Sequence, residues 1–226
     1  MENNMKFTEG YWLLSERTNG QFASQAYHIE AMENGLRVVA PTSPVLSRGD
    51  TLNRPTITIE FLAVSPEVIS VRAWHYEGYR TGEARFEKKE TTCDAVVTIT
   101  ENEAVLDAGR VSVHVDRKNW GYSFWADGKL LTSSGFHNLG YVRWDKRVSS
   151  MLPQDNYMKE HEYTPYMTQD LLLAPGENVY GFGERFTAFV KNGQAVETWN
   201  EDGGTASQVA YKNIPFYMTN RGYGVF

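Results

Sequence analysis

The sequence predicts an all-β fold, an antiparallel β-sandwich, on three observations. Short runs alternate apolar with polar residues, turn dipeptides separate them, and no apolar helical stripe exceeds about two turns. No internal repeat of the solenoid or propeller kind is present. With 226 residues, 41% hydrophobic and 13% aromatic, the chain carries enough apolar surface for one large core, so residues 1–226 are read as a single domain.

In chain order, Thr56–Phe61 (TITIEF), Val68–Trp74 (VISVRAW), Ala95–Thr100 (AVVTIT) and Arg110–Val115 (RVSVHV) are strands. Their β-branched and aromatic residues recur every second position, which buries one face of each. Ser65-Pro66, Glu101-Asn102, Asp127-Gly128 and Pro175-Gly176 supply turns between them. Trp120–Leu131 (WGYSFWADGKLL) is the clearest hairpin, because Asp127-Gly128 tolerates positive φ between an aromatic strand and the strand that opens at Lys129. Its Trp120, Phe124 and Trp125 are expected in the core rather than on a sugar-stacking surface. Arg143–Lys159, with its charges, Ser-Ser pair, Pro153 and Asp155-Asn156, is a long surface connection. Tyr217–Phe226 turns at Asn220-Arg221-Gly222 and begins a new strand, where the chain stops. An apolar strand with nothing beyond it leaves an open edge, so the chain is expected to be a fragment.

Composition excludes several roles. A net charge of -6 offers nothing to a phosphate backbone or an anionic membrane surface, so neither nucleic acid nor membrane is an expected partner. No apolar run approaches the roughly 20 residues of a membrane span. One cysteine, Cys93, permits no internal disulfide, and MENNMKFTEGYW lacks a secretory pattern; both favour the cytoplasm. Cys93 has no base or cation beside it and is read as packing. His28, His75, His114, His137 and His161 lack ligand spacing, so no metal is expected, and nothing in the chain calls for a cofactor.

Two stretches stand apart from a generic sandwich edge. Tyr180–Phe186 (YGFGERF) sets two glycines in a strand, which permits a bulge or a close backbone approach, beside the opposite charges of Glu184 and Arg185. An ion pair between those two that fixes the turn is the simpler reading. Glu197–Thr205 (ETWNEDGGT) combines three carboxylates, an amide, a tryptophan and a Gly-Gly pair. Carboxylates and amides suit sugar hydroxyls and an indole suits a pyranose face, yet the same residues make ordinary solvated turns. From these residues alone both readings stay open.

YGFGERFTAFVKNGQAVETWNEDGG followed by AYKNIPFYMTNRGYGVF resembles the N-terminal domain of glycoside hydrolase family 31, densely from Leu171 to Phe226. Before that, FTEGYWLL, the strand after Pro55 and Asn156-Tyr157-Met158 are similar more loosely. Within the family the likeness is greatest to bacterial α-xylosidases. The resemblance implies a galactose-mutarotase-like sandwich, then a (β/α)₈ barrel, then further β domains. It implies a retaining hydrolase of terminal α-linked xylose whose aspartate nucleophile and aspartate acid/base both lie in the barrel. No catalytic residue is then expected in this chain, which should be inactive alone. By motif position Asp202 is the substrate-binding residue, accepting hydrogen bonds from sugar hydroxyls, with Trp199 and Asn200 shaping its loop. Glu201 departs from the family, where many members carry arginine.

Expected partners are an α-xyloside or related oligosaccharide and the chain's own downstream barrel, with homo-oligomers possible for the full-length protein. Xylosidase against glucosidase is decided in the barrel. A stand-alone carbohydrate-binding module needs outward-facing rings at Trp120–Trp125, and a mutarotase-like epimerase needs converging acid and base groups.

Overall fold

The alternating runs pair as antiparallel strands in the computed structural model, which describes residues 7–8, 13–16, 18–52, 54–78, 93–145, 163–205 and 208–226. These divide into two compact units, residues 7–172 and residues 173–226. Arg143–Asp145 close a strand rather than open the expected surface connection, and the rest of that stretch with Asn156-Tyr157-Met158, His161 and half of FTEGYWLL lie outside the described residues.

In the first unit, β1 (Thr18–Phe22) pairs with β11 (Leu139–Asp145), which pairs with β12 (Tyr163–Gln169). A four-stranded sheet runs β2 (His28–Met32), β3 (Gly35–Pro41), β4 (Thr56–Ser65), β5 (Val68–Trp74). A five-stranded meander runs β6 (Val96–Ile99), β7 (Glu103–Asp107), β8 (Val111–Asp116), β9 (Gly121–Ala126), β10 (Lys129–Ser134). TITIEF opens β4 and VISVRAW is β5 end to end; AVVTIT and RVSVHV become β6 and β8 with small shifts at their ends.

The two larger sheets bury their apolar faces against each other. Leu36, Val38 and Ala40 of β3 and Ile57, Ile59 and Phe61 of β4 share a core with Leu106, Val113 and Val115 from β7 and β8. All are fully enclosed, and each Leu, Val, Ile or Phe side chain among them contributes roughly 1.5–3 kcal/mol relative to exposure. The Phe61 ring meets Tyr122 edge-on at 5.1 Å across the sandwich. On the other face of the four-stranded sheet, Arg37 bridges Glu30 at 2.6 Å and Glu60 at 2.7 Å on the flanking strands. A one-residue slip would drive these charges into the core, so the register is firmly set.

The β9–β10 hairpin turns at Asp127 (φ 50) and Gly128 (φ 73), both in the left-handed region as its dipeptide requires. Trp120 is 5% exposed, and Phe124 packs on the core, so these rings form no external platform. Trp125 turns to the opposite face, where its indole N–H donates to Ser123 Oγ at 2.8 Å. Cys93 is buried and its thiol donates to the Ala108 carbonyl, in keeping with a packing role.

The second unit is a small sheet of β13 (Val179–Gly183), β14 (Asn213–Thr219) and β15 (Gly224–Val225). Pro175-Gly176 forms its entry turn, with Gly176 at φ 76 and the Glu177 amide donating to Ala174 O at 3.0 Å. Asn220-Arg221-Gly222 makes the β14–β15 turn, with Gly222 at φ 85. No helix among the described residues is long and apolar enough to cross a membrane.

Candidate functional site

The carboxylate-rich loop grows out of an irregularity in β13. Gly181 (φ 126), Phe182 (φ 69) and Gly183 (φ 80) are consecutive residues with positive φ, and the β13–β14 register shifts between the two glycines. A Cβ on Gly181 would stand 2.6 Å from Phe216 O, and one on Gly183 would stand 2.3 Å from Lys212 O. Only glycine lets the backbones come this close, and the result is the bulge that the Gly-x-Gly spacing suggests.

That bulge aims the next two charged residues in different directions. Glu184 pairs with Lys212 at 3.2 Å across the sheet. Arg185 instead donates to three carbonyls, with Nε to Phe182 O at 3.4 Å, Nη1 to Gln208 O at 2.9 Å and Nη2 to Glu197 O. An ion pair between the two neighbours is therefore not how the turn is held. Lys212 is remote in sequence from Glu184 and is delivered by strand pairing, and Glu197 and Gln208 are remote from Arg185, while Phe182 lies only three residues back. Burial pulls the Arg185 pKa below its ordinary value, and the charge of Glu197 acts the other way.

A second clamp holds the loop at its centre. Asn213, at the start of β14, donates its backbone N–H to Asn200 Oδ1 at 3.1 Å and its Nδ2 to Trp199 O at 2.7 Å and Ala210 O at 2.5 Å. Asn200 also forms a parallel bridge with Ala210, and the Glu201 N–H donates to Ala210 O at 3.0 Å. Asn200 thus shapes the loop as its motif position implies. Trp199 does so only through its carbonyl, since the residue is 72% exposed.

Between these clamps Asp202 projects into solvent. Its Oδ1 accepts a long bond of 3.4 Å from the Gly204 N–H, in a turn that Gly204 completes at φ 60. Glu197 and Glu201 are exposed as well. A carboxylate with lone pairs open to solvent, on a loop whose backbone is tied down, is equipped to accept hydrogen bonds from a hydroxylated ligand. Sequence reasoning singled out Asp202, Trp199 and Asn200 but not Asn213; the signal was an Asn at a strand start, which by itself reads as a turn residue.

Elsewhere, buried Glu177 supports the unit that carries the loop. Burial pushes its carboxyl up, but hydrogen bonds from Tyr223, the Ala174 N–H and Thr219, with the Arg221 charge, hold it below the ordinary value. In the first unit a cleft of about 530 Å³ lies beside β8 and β9, lined in part by His114, Glu103 and Asn119. Its histidine is committed locally, with Nδ1 at 2.8 Å from Glu103 Oε1 and Nε2 at 3.1 Å from Ser112 Oγ. Ser112 itself is not among the residues that line the cleft.

Residues 57–226 match the family described as glycosyl hydrolase 31 N-terminal galactose mutarotase-like domain. The chain is 39% identical over 227 aligned positions to alpha-xylosidase XylQ of Lactiplantibacillus pentosus, covering 98% of this chain and 27% of that protein. An alpha-xylosidase of Emericella nidulans is 34% identical over 231 positions, again covering 98% of this chain and 29% of the relative. The fold is similar to that of the cycloalternan-forming enzyme from Listeria monocytogenes, with a TM-score of 0.64 at 15% identity, covering 92% of this chain and 17% of that one. The chain thus spans little more than a quarter of the length of the curated relatives it matches.

Proposed function

The chain belongs to glycoside hydrolase family 31, as its N-terminal galactose-mutarotase-like domain, and from that premise we propose that residues 1–226 serve a retaining α-xylosidase as a non-catalytic domain that completes the sugar subsite. Two curated α-xylosidases aligned over nearly the whole chain support the substrate class. The observation that carries the subsite role is the exposed Asp202 carboxylate on a loop clamped at both stems and at its centre.

In this reading the bond-breaking carboxylates lie in the downstream barrel and react by double displacement. Asp202 accepts hydrogen bonds from hydroxyls of the sugar before the scissile bond. As positive charge develops on the ring, a nearby anion holds the transition state more tightly than the ground state, which is what accelerates the reaction. Packing against the barrel is supported by the apolar face of β14, where Ile214, Phe216 and Met218 alternate along the strand and are all exposed. A cytoplasmic location belongs to the same reading, supported by the single buried cysteine.

The test is hydrolysis of p-nitrophenyl α-xyloside and α-glucoside by the full-length protein, its Asp202→Ala variant and the 226-residue chain alone. Hydrogen bonds to a charged group contribute about 1.5–3 kcal/mol, so Asp202→Ala should lower kcat/KM roughly 10- to 150-fold. Xyloside preference in the full protein and no turnover by the chain alone are the accompanying expectations. Turnover by the chain alone, or an unaffected variant, defeats the proposal, and glucoside preference moves the substrate to α-glucosides.

A further inference from the structure

We infer that Arg185 is a positioning residue for Asp202, acting on the orientation of the loop rather than on substrate. The inference rests on the reading of Asp202 given above. Arg185 sits at the foot of β13 and its three bonds reach three separate segments: Phe182 O in the bulge, Glu197 O at the start of the loop and Gln208 O at its end. One planar group therefore ties both ends of the loop to the distorted strand. The loop cannot swing without breaking a bond to the guanidinium.

The choice of residue follows from this geometry. A guanidinium presents five N–H donors in a rigid fork, so it can serve carbonyls that diverge from one another. A lysine ammonium offers three donors at one point on a flexible stem and cannot span the same three acceptors. The Asn213 clamp remains when Arg185 is changed, since its bonds run to Trp199, Asn200 and Ala210. Loss of the fork should thus leave the loop attached at its centre and free at its stems, with Asp202 in the competent orientation for only part of the time. When that fraction falls tenfold, apparent affinity falls tenfold in proportion.

The experiment is a double-mutant cycle in the full-length enzyme with p-nitrophenyl α-xyloside, using Arg185→Lys and Asp202→Ala singly and together. Arg185→Gln is measured in parallel, so that the cycle stands even where one variant fails to fold. If Arg185 acts through Asp202, each Arg185 variant lowers kcat/KM about tenfold in the wild-type background and less than about twofold once Asp202 is gone. Amide exchange at residues 199–205 should also quicken in Arg185→Lys, with the β3 and β4 amides unchanged. A full tenfold loss repeated in the Asp202→Ala background overturns the inference while leaving the role of Asp202 intact, and so does wild-type kcat/KM in the Arg185 variants. Wild-type kinetics in Asp202→Ala overturns the reading of Asp202 and this inference with it.

Discussion

Replacing Gly183 by alanine separates two costs that the β13 bulge combines. Gly183 sits at φ 80, and an added Cβ would meet Lys212 O at 2.3 Å and Ile214 N at 2.8 Å, about 1 Å short of ordinary van der Waals contact. Gly176, at φ 76 in the turn before β13, would place its Cβ against nothing within 4 Å. Both alanines adopt a left-handed backbone, which costs about 1–2 kcal/mol, partly offset by about 0.4–1 kcal/mol from a less flexible unfolded chain. Gly176→Ala should therefore cost about 1 kcal/mol. Gly183→Ala adds a displacement of the partner strand, which by analogy with overpacking costs about 1–3 kcal/mol more. Native-state hydrogen exchange of the β13 and β14 amides reads the difference locally. The extra 1–3 kcal/mol corresponds to amides exchanging roughly 5- to 150-fold faster in Gly183→Ala than in Gly176→Ala. Equal exchange in the two variants would refute the claim that backbone proximity at Gly183, rather than its φ alone, demands glycine. Because Gly183 pairs with Asn213, the displaced strand should also loosen the loop amides at residues 199–205.

Two further outcomes follow from the buried groups. Glu177 is 3% exposed and its folded pKa is depressed below the ordinary 4.5, so its stabilising contribution is present above the unfolded value and is lost as pH falls through the folded one. Glu177→Gln should therefore destabilise residues 173–226 at pH 7, with the gap to wild type closing below about pH 4; exchange of the β14 amides against pH measures this, and a gap constant from pH 7 to pH 3 contradicts the assignment. Phe61→Ala, which empties the centre of the sandwich against Tyr122 and Phe124, should cost about 3–5 kcal/mol in urea denaturation, and a loss below 1 kcal/mol would mean that the two sheets do not share that core.

The sequence by itself determined β4, β5, β6, β8 and the β9–β10 hairpin with their turns, because these are set by neighbours along the chain, whereas β1–β3, β7, β11 and β12 were not read from it. Period-two alternation specifies which face of β4 or β5 is buried, and Asp127-Gly128, Pro175-Gly176 and the glycines of β13 are legible wherever backbone sterics demand positive φ. Asp202 was reachable by motif, since the W-N-x-D loop keeps its residues together in the chain. What only the tertiary structure decided concerns partners that strand pairing brings from far away. Glu184 and Arg185 are adjacent and opposite in charge, yet pairing of β13 with β14 gives the first to Lys212, and the loop folding back gives the second the carbonyls of Glu197 and Gln208. A sequence shows that a carbonyl exists at Gln208 and an amide at Asn213 but not where either points. The division into residues 7–172 and 173–226, and the burial of Glu177 beneath Tyr223 and Thr219, are likewise outcomes of long-range packing, in which hydrogen-bonding groups find partners after burial has removed water.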